Sequence, residues 1–329
     1  LSVGYAGKKG TCAVLPPLNF SVQAGELVAV IGANGVGKST LLRTLMHLQP
    51  SLGGDVRLIR EGKAVPLHAV RPGQRARLVS YVASAQAIED ELTVQQLVEL
   101  GRYPYKSWMA HLDADDRRRV ALALKQVQLN DFAQRSVRRI SDGELQRAML
   151  ARALAQDTPL IILDEPTAFL DITNRHETIA LLKELAHYQG KSILFSTHDL
   201  EIALQQCDKI LLLGKQGLQQ GAPEDLVLGK AFSSLISHPA VVFDAWQGQF
   251  VRKNKAKAQL TVVGKGIHKM WTVRMAARLG FAVTENAALR VIITQKQKTD
   301  WRIQTATYTS PPMDSLYQLS NALRGFIPA

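Results

Sequence analysis

Apolar positions along the chain fall into two rhythms. Short stretches dominated by Leu, Ile and Val are strand-sized and apolar on successive positions: Leu27–Ile31, Leu160–Leu163, Ser192–Ser196 and Lys209–Leu213. A strand of that kind needs cover on both faces. Between these stretches the apolar residues return at helical spacing. The spacing predicts helices over Lys38–Leu48 (stopped by Pro50), Thr93–Gly101, Asp113–Leu129, Glu144–Ala155, Arg175–Tyr188 and Leu200–Gln206. Strands alternating with helices predict an α/β fold, a mostly parallel sheet with helices on both faces. Ahead of this pattern, Cys12–Leu15 and Leu18–Val22 read as strands, and Gly25-Glu26 as the turn before Leu27. After a strand at Leu78–Ala83, residues 86–140 read as a helical insert. Its Asp113-Ala-Asp-Asp run puts acids in a first helical turn and spaces Asp113 and Arg117 as an i,i+4 pair.

Beyond His238-Pro239 the texture changes. Strands are predicted at Val241–Asp244, Gln249–Val251, Leu260–Val263, Ala282–Thr284 and Arg290–Thr294, with helices at His268–Leu279 and Met313–Leu323. This reads as a small α+β domain over 240–329, following a first domain over 1–239 whose helical subdomain spans about 86–140. Charge sharpens the division: of the net +12 of the 329-residue chain, +9 lies in 240–329, where 13 Lys and Arg stand against 4 Asp and Glu. Such a tail suits an acidic partner, anionic lipid or nucleic acid, or is a solvated basic surface. Trp246, Trp271 and Trp301 read as core residues there, so nucleic acid is not the expected partner. No apolar run approaches the ~18 residues of a membrane-spanning helix. Cys12 and Cys207 make neither a disulfide framework nor a zinc set and read as small buried hydrophobes.

The chemistry concentrates in two places. Gly32-Ala33-Asn34-Gly35-Val36-Gly37-Lys38-Ser39-Thr40 joins the apolar strand to the first helix and fits G-x-x-x-x-G-K-[ST] in its strand–loop–helix setting. Glycines let the backbone wrap phosphate oxygens with its N–H groups turned inward, and the helix N-terminus adds positive potential. Lys38 adds a full charge for the β- and γ-phosphates, and the Ser39 hydroxyl is placed for Mg²⁺. The second place is the strand Leu160–Leu163, which ends in Asp164-Glu165. Ligands of open α/β sheets sit at the carboxyl ends of strands. Neighbouring strand side chains point opposite ways, so Asp164 can serve Mg²⁺ while Glu165 serves an attacking water.

With these in place the chain resembles the ATP-binding-cassette (ABC) ATPases. Ile140-Ser141-Asp142-Gly143-Glu144 resembles their signature segment, Pro166–Asp171 the segment ending in the D-loop, and Phe195-Ser-Thr-His198-Asp199 the switch histidine. Tyr5 resembles the aromatic that stacks on adenine. The resemblance covers residues 1 to about 225. It implies ATP and Mg²⁺ as ligands, with Asp164 and Ser39 on the metal, Glu165 as general base and His198 as γ-phosphate sensor. It also implies a head-to-tail homodimer, each ATP lying between one phosphate loop and the Ser141–Glu144 segment of the other copy. Two departures stand out. Asp142 replaces the usual glycine and reads as a helix N-cap. The family's coupling glutamine falls on Ser84, with Gln86 two residues later.

Gly101-Arg102-Tyr103-Pro104-Tyr105, which read from its residues alone is a helix stop and turn, resembles importers of iron–siderophore, haem and cobalamin chelates. That likeness implies integral membrane permease subunits that the helical insert faces, a substrate-binding protein acting on the far side, no direct contact with the transported substrate, and a peripheral place on the cytoplasmic face of the inner membrane. Residues 240–329 lie outside the resemblance and are expected to be regulatory or dimer-stabilising. The alternative reading is a soluble ABC ATPase acting on nucleic acid or ribosomes through that basic tail.

Overall fold

The six residues of β3 (Leu27–Gly32) are all buried, and they organise the first part of the chain. In the computed structural model, which describes residues 1–7, 10–60, 62–84, 91–106, 111–214, 217–236, 238–252, 256–295 and 298–328, contacts divide the chain into two compact units. The first comprises 1–237 and 243–250, the second 238–242 and 251–329.

In the first unit, β1 (Val3–Gly7) and β2 (Gly10–Leu15) pair antiparallel ahead of β3. Helix α1 (Lys38–Leu45) follows β3, then the antiparallel pair β4 (Arg57–Arg60) and β5 (Lys63–Pro66), the short helix α2 (Pro72–Arg75) and strand β6 (Val79–Val82). The helices α3 (Val94–Glu99), α4 (Ala114–Gln126) and α5 (Asp142–Ala155) come next. Alternation resumes with β7 (Leu160–Leu163), α6 (Ile172–Gln189), β8 (Ser192–Ser196), α7 (Leu200–Gln206), β9 (Lys209–Gly214), β10 (Gly217–Gly221) and α8 (Pro223–Leu228). The main sheet has the order β10-β9-β3-β8-β7-β6, parallel except for the edge strand β10.

Its two faces carry separate cores, because successive strand residues point to opposite sides. Leu27, Ala29 and Ile31 pack with Leu97, Leu124, Leu150, Leu182 and Phe195, while Val28 and Val30 pack with Leu41, Leu42, Leu194 and Leu211. The hairpin of β11 (Val241–Asp244) and β12 (Gln249–Arg252) adds an aromatic stack, Phe243 lying 4.9 Å from Phe232 and 5.4 Å from Phe250.

In the second unit, β13 (Ala258–Val263), α9 (Gly266–Leu279), β14 (Phe281–Val283), β15 (Arg290–Gln295), β16 (Thr299–Gln304) and α10 (Leu316–Arg324) form a four-stranded sheet of order β14-β13-β15-β16. Its core holds Leu260, Val291, Trp301, Ile303 and Leu319.

Several expectations are corrected. Leu18–Val22 is not a strand; Pro16 and Pro17 lead into it, only Leu18 is buried, and Leu18 N–H bonds the Leu1 carbonyl instead of a ladder. Cys12 is exposed on β2, whereas Cys207 is buried and its thiol is pushed up to about 12 by burial and then by Asp208. Trp301 is a core residue, but Trp246 is fully exposed and Trp271 half exposed. Asp113 does not pair with Arg117: it caps α4, accepting the Asp116 N–H at 2.9 Å, and Arg117 bonds the Leu112 carbonyl. Among the described residues no helix is long and apolar enough to cross a membrane.

Candidate nucleotide site

The phosphate loop hangs between β3 and α1. Gly37, the residue before α1, has φ +109°, and a Cβ there would stand 2.6 Å from Val14 Cγ1. At Gly32 a Cβ would lie 2.7 Å from Val36 Cγ1 and 2.8 Å from the Leu213 carbonyl, so only glycine lets the loop close this tightly. No side chain caps α1, which leaves its first-turn N–H groups available to an anion. Asn34 and Gly35 are exposed at the loop's crest.

Lys38 is 6% exposed, and its ammonium folds back onto the Gly32 carbonyl at 2.9 Å and the Ala33 carbonyl at 3.3 Å. Burial lowers its pKa, against the upward pull of Glu165 and Asp164. Ser39 is half-buried. Thr40 is buried, and its hydroxyl lies 3.1 Å from that of Tyr5, whose ring is half exposed.

The other half of the cluster comes from adjacent parallel strands. Register pairs Leu163 of β7 with Phe195 of β8, so Asp164-Glu165 and Ser196–His198 emerge side by side at the carboxyl ends. Asp164 is 2% exposed and accepts the Ser196 hydroxyl at 2.6 Å, while Ser196 Oγ accepts the Glu165 N–H at 2.8 Å. Glu165 sits at φ +52°, an unusual conformation for a residue other than glycine, and the Ser196 bond to its N–H helps hold it. Its carboxylate Oε1 lies 2.6 Å from His198 Nε2. Gln146 of α5 reaches the Glu165 carbonyl at 3.5 Å. Sequence reasoning missed Ser196 and Gln146. The signal for Ser196 was a polar residue at the end of an otherwise apolar strand, directly before Thr197-His198.

The residues fit a nucleoside triphosphate with its metal: a glycine cradle, uncapped helix N–H groups and a buried ammonium are the groups that would meet its phosphates. One buried carboxylate and one hydroxyl suit Mg²⁺, which takes few protein ligands and leans on phosphate oxygens. No group of three or more His, Cys, Asp or Glu able to hold a metal by itself occurs among the described residues.

Ser141–Glu144 stands apart. Ser141, not Asp142, is the N-cap of α5: its hydroxyl accepts the Glu144 N–H at 3.3 Å, and Glu144 Oε2 accepts the Ser141 N–H at 2.7 Å. That backbone bond lowers the Glu144 pKa. Asp142 is exposed in the first turn, where a negative charge suits the helix dipole. Gly143 packs close to Phe169, since a Cβ would come 3.3 Å from its carbonyl. Phe169 itself has φ +64° and is 69% exposed, and Ile172 is 74% exposed. Among the described residues no hydrogen bond or ion pair joins Ser141–Glu144 to Lys38, Asp164 or His198 of the same chain. Ser84 lies half-buried in a bend after β6, and Gln86 lies outside the described residues.

Residues 15–168 match the ABC transporter family, and residues 257–324 match the iron ABC transporter C-terminal domain. The chain is 37% identical over 228 residues to the probable siderophore transport system ATP-binding protein YusV of Bacillus subtilis (strain 168), covering 69% of this chain and 80% of that one. It resembles the structure of an inward-facing putative metal-chelate type ABC transporter with a TM-score of 0.59 and 26% identity, over 76% of this chain and 93% of the other. It also resembles the dimeric structure of MJ0796, a bacterial ABC transporter cassette, with a TM-score of 0.60 and 25% identity over 68% of this chain and 96% of that one. The phosphate loop and the paired strand ends thus carry a known chemistry: the chain belongs to the ABC transporter family and is one of its ATP-binding, ATP-hydrolysing subunits.

Proposed function

We propose that two copies of this chain assemble head to tail on an integral membrane permease and energise import of a metal chelate of the iron–siderophore class. The observation that carries the two-copy reading is the division of the site. Lys38, Asp164, Glu165 and His198 converge within one chain, whereas among the described residues the hydrogen bonds of Ser141–Glu144 stay within the segment and its own helix turn. A second copy would bring that segment's N-terminal helix dipole and Ser141 hydroxyl against the phosphates from the opposite side.

In this reading Tyr5 stacks on adenine, and the loop from Gly32 to Thr40, with Asn34, Gly35 and Gly37, wraps the phosphates. Lys38 leaves its two carbonyl partners to meet the β- and γ-phosphates. Ser39 and Asp164 would hold Mg²⁺, which supplies charge neutralisation at the phosphate oxygens. Glu165, oriented through Ser196, takes the proton of the attacking water. His198 exchanges its bond to Glu165 for one to the γ-phosphate, which frees the carboxylate as the dimer closes.

The cargo class is supported by the match of 257–324 to the iron ABC transporter C-terminal domain and by the likeness to YusV. The permease and a substrate-binding protein on the far side would make all contacts to the chelate. The chain would sit peripherally on the cytoplasmic face of the inner membrane, with 240–329 as a regulatory or dimer-stabilising domain. The basic charge of 240–329 and the exposed Trp246 and Trp271 are what speak for the nucleic-acid or ribosome alternative; the match of 257–324 to the iron ABC transporter C-terminal domain weighs against it. Co-purification from gently solubilised membranes tests the assembly: an integral permease should accompany the chain, and recovery of ribosomes or nucleic acid without one would overturn it.

A further inference from the structure

Away from the nucleotide, the cassette contains a second buried charge cluster, built by the 3₁₀ turn Leu100–Tyr105. Gly101 lies so close to α5 that a Cβ would stand 2.3 Å from the Arg152 carbonyl. This brings Arg102, 5% exposed, between two helix ends. Its Nη1 donates at 2.8 Å to the carbonyl of Ala155, the last residue of α5, and its Nε donates at 2.9 Å to Asp116 Oδ1 in the first turn of α4. Cation meets a helix C-terminus and anion a helix N-terminus, so both dipoles favour the arrangement. The other Asp116 oxygen accepts the Asp113 N–H at 3.1 Å and pairs with Lys106.

The Tyr105 ring lies under this guanidinium, 4.2 Å from its carbon, and also meets Arg77 at 5.3 Å. Arg77 in turn donates to the Pro104 carbonyl at 2.7 Å. Arg77 precedes β6, and Gln156 just beyond α5 donates to the Val79 carbonyl of β6 at 3.3 Å. The cluster therefore ties four places together: the approach to β6, the 3₁₀ turn, the start of α4 and the end of α5. The opposite end of α5, 14 residues and ~21 Å away, bears Ser141–Glu144.

We infer that Arg102 is a positioning residue for ATP-driven closure: it pins the far end of α5 so that Ser141–Glu144 is presented to the second copy as the tip of a rigid lever. The inference rests on the proposed role of Ser141–Glu144 in the partner's site. The partners of Arg102 are Asp116, the Ala155 carbonyl and the Tyr105 ring, none of them in the proposed nucleotide site, so its loss should leave ATP binding by one chain intact and weaken the step in which two chains close.

The test uses the full-length chain. Arg102→Lys keeps the charge and can satisfy only one of the two helix ends. Arg102→Met with Asp116→Asn removes both charges and leaves no unpaired buried ion, the main hazard of the single change. ATP affinity is measured by titration, turnover is expressed per ATP-binding site, and ATP-induced dimerisation is followed in the Glu165→Gln background. Small misplacement far from reacting groups can cost up to 10²-fold, so the double variant should lose about tenfold or more in turnover and dimer affinity. Arg102→Lys should fall between it and the parent. ATP affinity and KM should stay within about twofold, a split between binding and closure that simple unfolding would not produce. Parental turnover per site and parental dimer affinity in both variants would overturn the inference. Ser141→Arg serves as the control: if it leaves dimerisation intact, the reading of the signature segment fails, whatever Arg102 does.

Discussion

Among the described residues the cassette holds two buried charge clusters, and they are built on opposite terms. Around Arg102 every charge has a partner: Arg102 faces Asp116 and a helix carbonyl, and Lys106 faces Asp116 and Asp113 at 2.7 Å. Burial works against the Asp116 carboxylate, yet the bonds from Lys106 and Arg102 outweigh it and hold its pKa well below the ordinary range. Around Lys38 the ammonium bonds the Gly32 and Ala33 carbonyls, its pKa is lowered by burial, and Glu165 sits at a left-handed φ. The first cluster is complete as it stands. In the proposed reading the second is completed by phosphates, because buried charges are costly until paired. Incompleteness of this kind separates a working site from a structural one better than burial does, since both clusters are buried.

The comparison can be broken in order of effect. Lys38→Ala should lower ATP hydrolysis by about 10³-fold, the scale of losing a preorganised donor to transition-state charge, with stability little changed; steady-state turnover and a thermal melt together check this. Glu165→Gln should slow hydrolysis by about 10²-fold or more while ATP still binds. Hydrolysis at the parental rate would show that Glu165 is not the base.

Asp116→Asn should destabilise the chain by about 3 kcal/mol, because it leaves Arg102 buried beside a neutral group. Asp116 has a folded pKa depressed below its unfolded value, so its stabilising contribution is present above the ordinary carboxylate range and is lost as pH falls towards the folded pKa. The gap in denaturant midpoint between parent and variant should therefore be full near pH 6–7 and shrink below about pH 4. Equal gaps at both ends would remove the charge from the explanation. Ser141→Ala should cost about 1 kcal/mol through loss of the α5 cap, measurable in the same denaturation series.

Much of this was legible in the residues, and the gaps have physical causes. The phosphate loop and Asp164-Glu165 announce themselves because strands buried on both faces read as apolar runs whose polar ends stand out, whereas His198 alone reads as a structural histidine and is singled out only by its place in the order of motifs that resemble the family. Buried strands β3, β7 and β8 were found for the same reason. The β4 and β5 pair was not, because each strand is four residues long and its apolar residues are not buried, Ile59 being 75% and Val65 40% exposed, so no core-facing pattern marks them. Strand β10 is likewise a polar edge, Gly217–Gly221, paired to β9.

Arg102 shows a different kind of miss. Sequence marks Gly-Arg-Tyr-Pro-Tyr as a turn, which it is, but its partners Asp116 and Ala155 are 14 and 53 residues away, and no local rule links them. Ser141 and Asp142 show a third. Two adjacent residues could each cap a helix, and the choice was made by Glu144, whose carboxylate reaches back to the Ser141 N–H and completes a capping box.

The central claim is that one chain holds only half of each working site. Sedimentation of the Glu165→Gln chain with and without ATP tests it most directly, with Ser141→Arg added in the same background. The account predicts that ATP converts the Glu165→Gln chain from monomer to dimer, and that the added Ser141→Arg change keeps it monomeric while ATP binding persists. A chain that stays monomeric with ATP bound, or that dimerises equally well with Ser141→Arg, would contradict it.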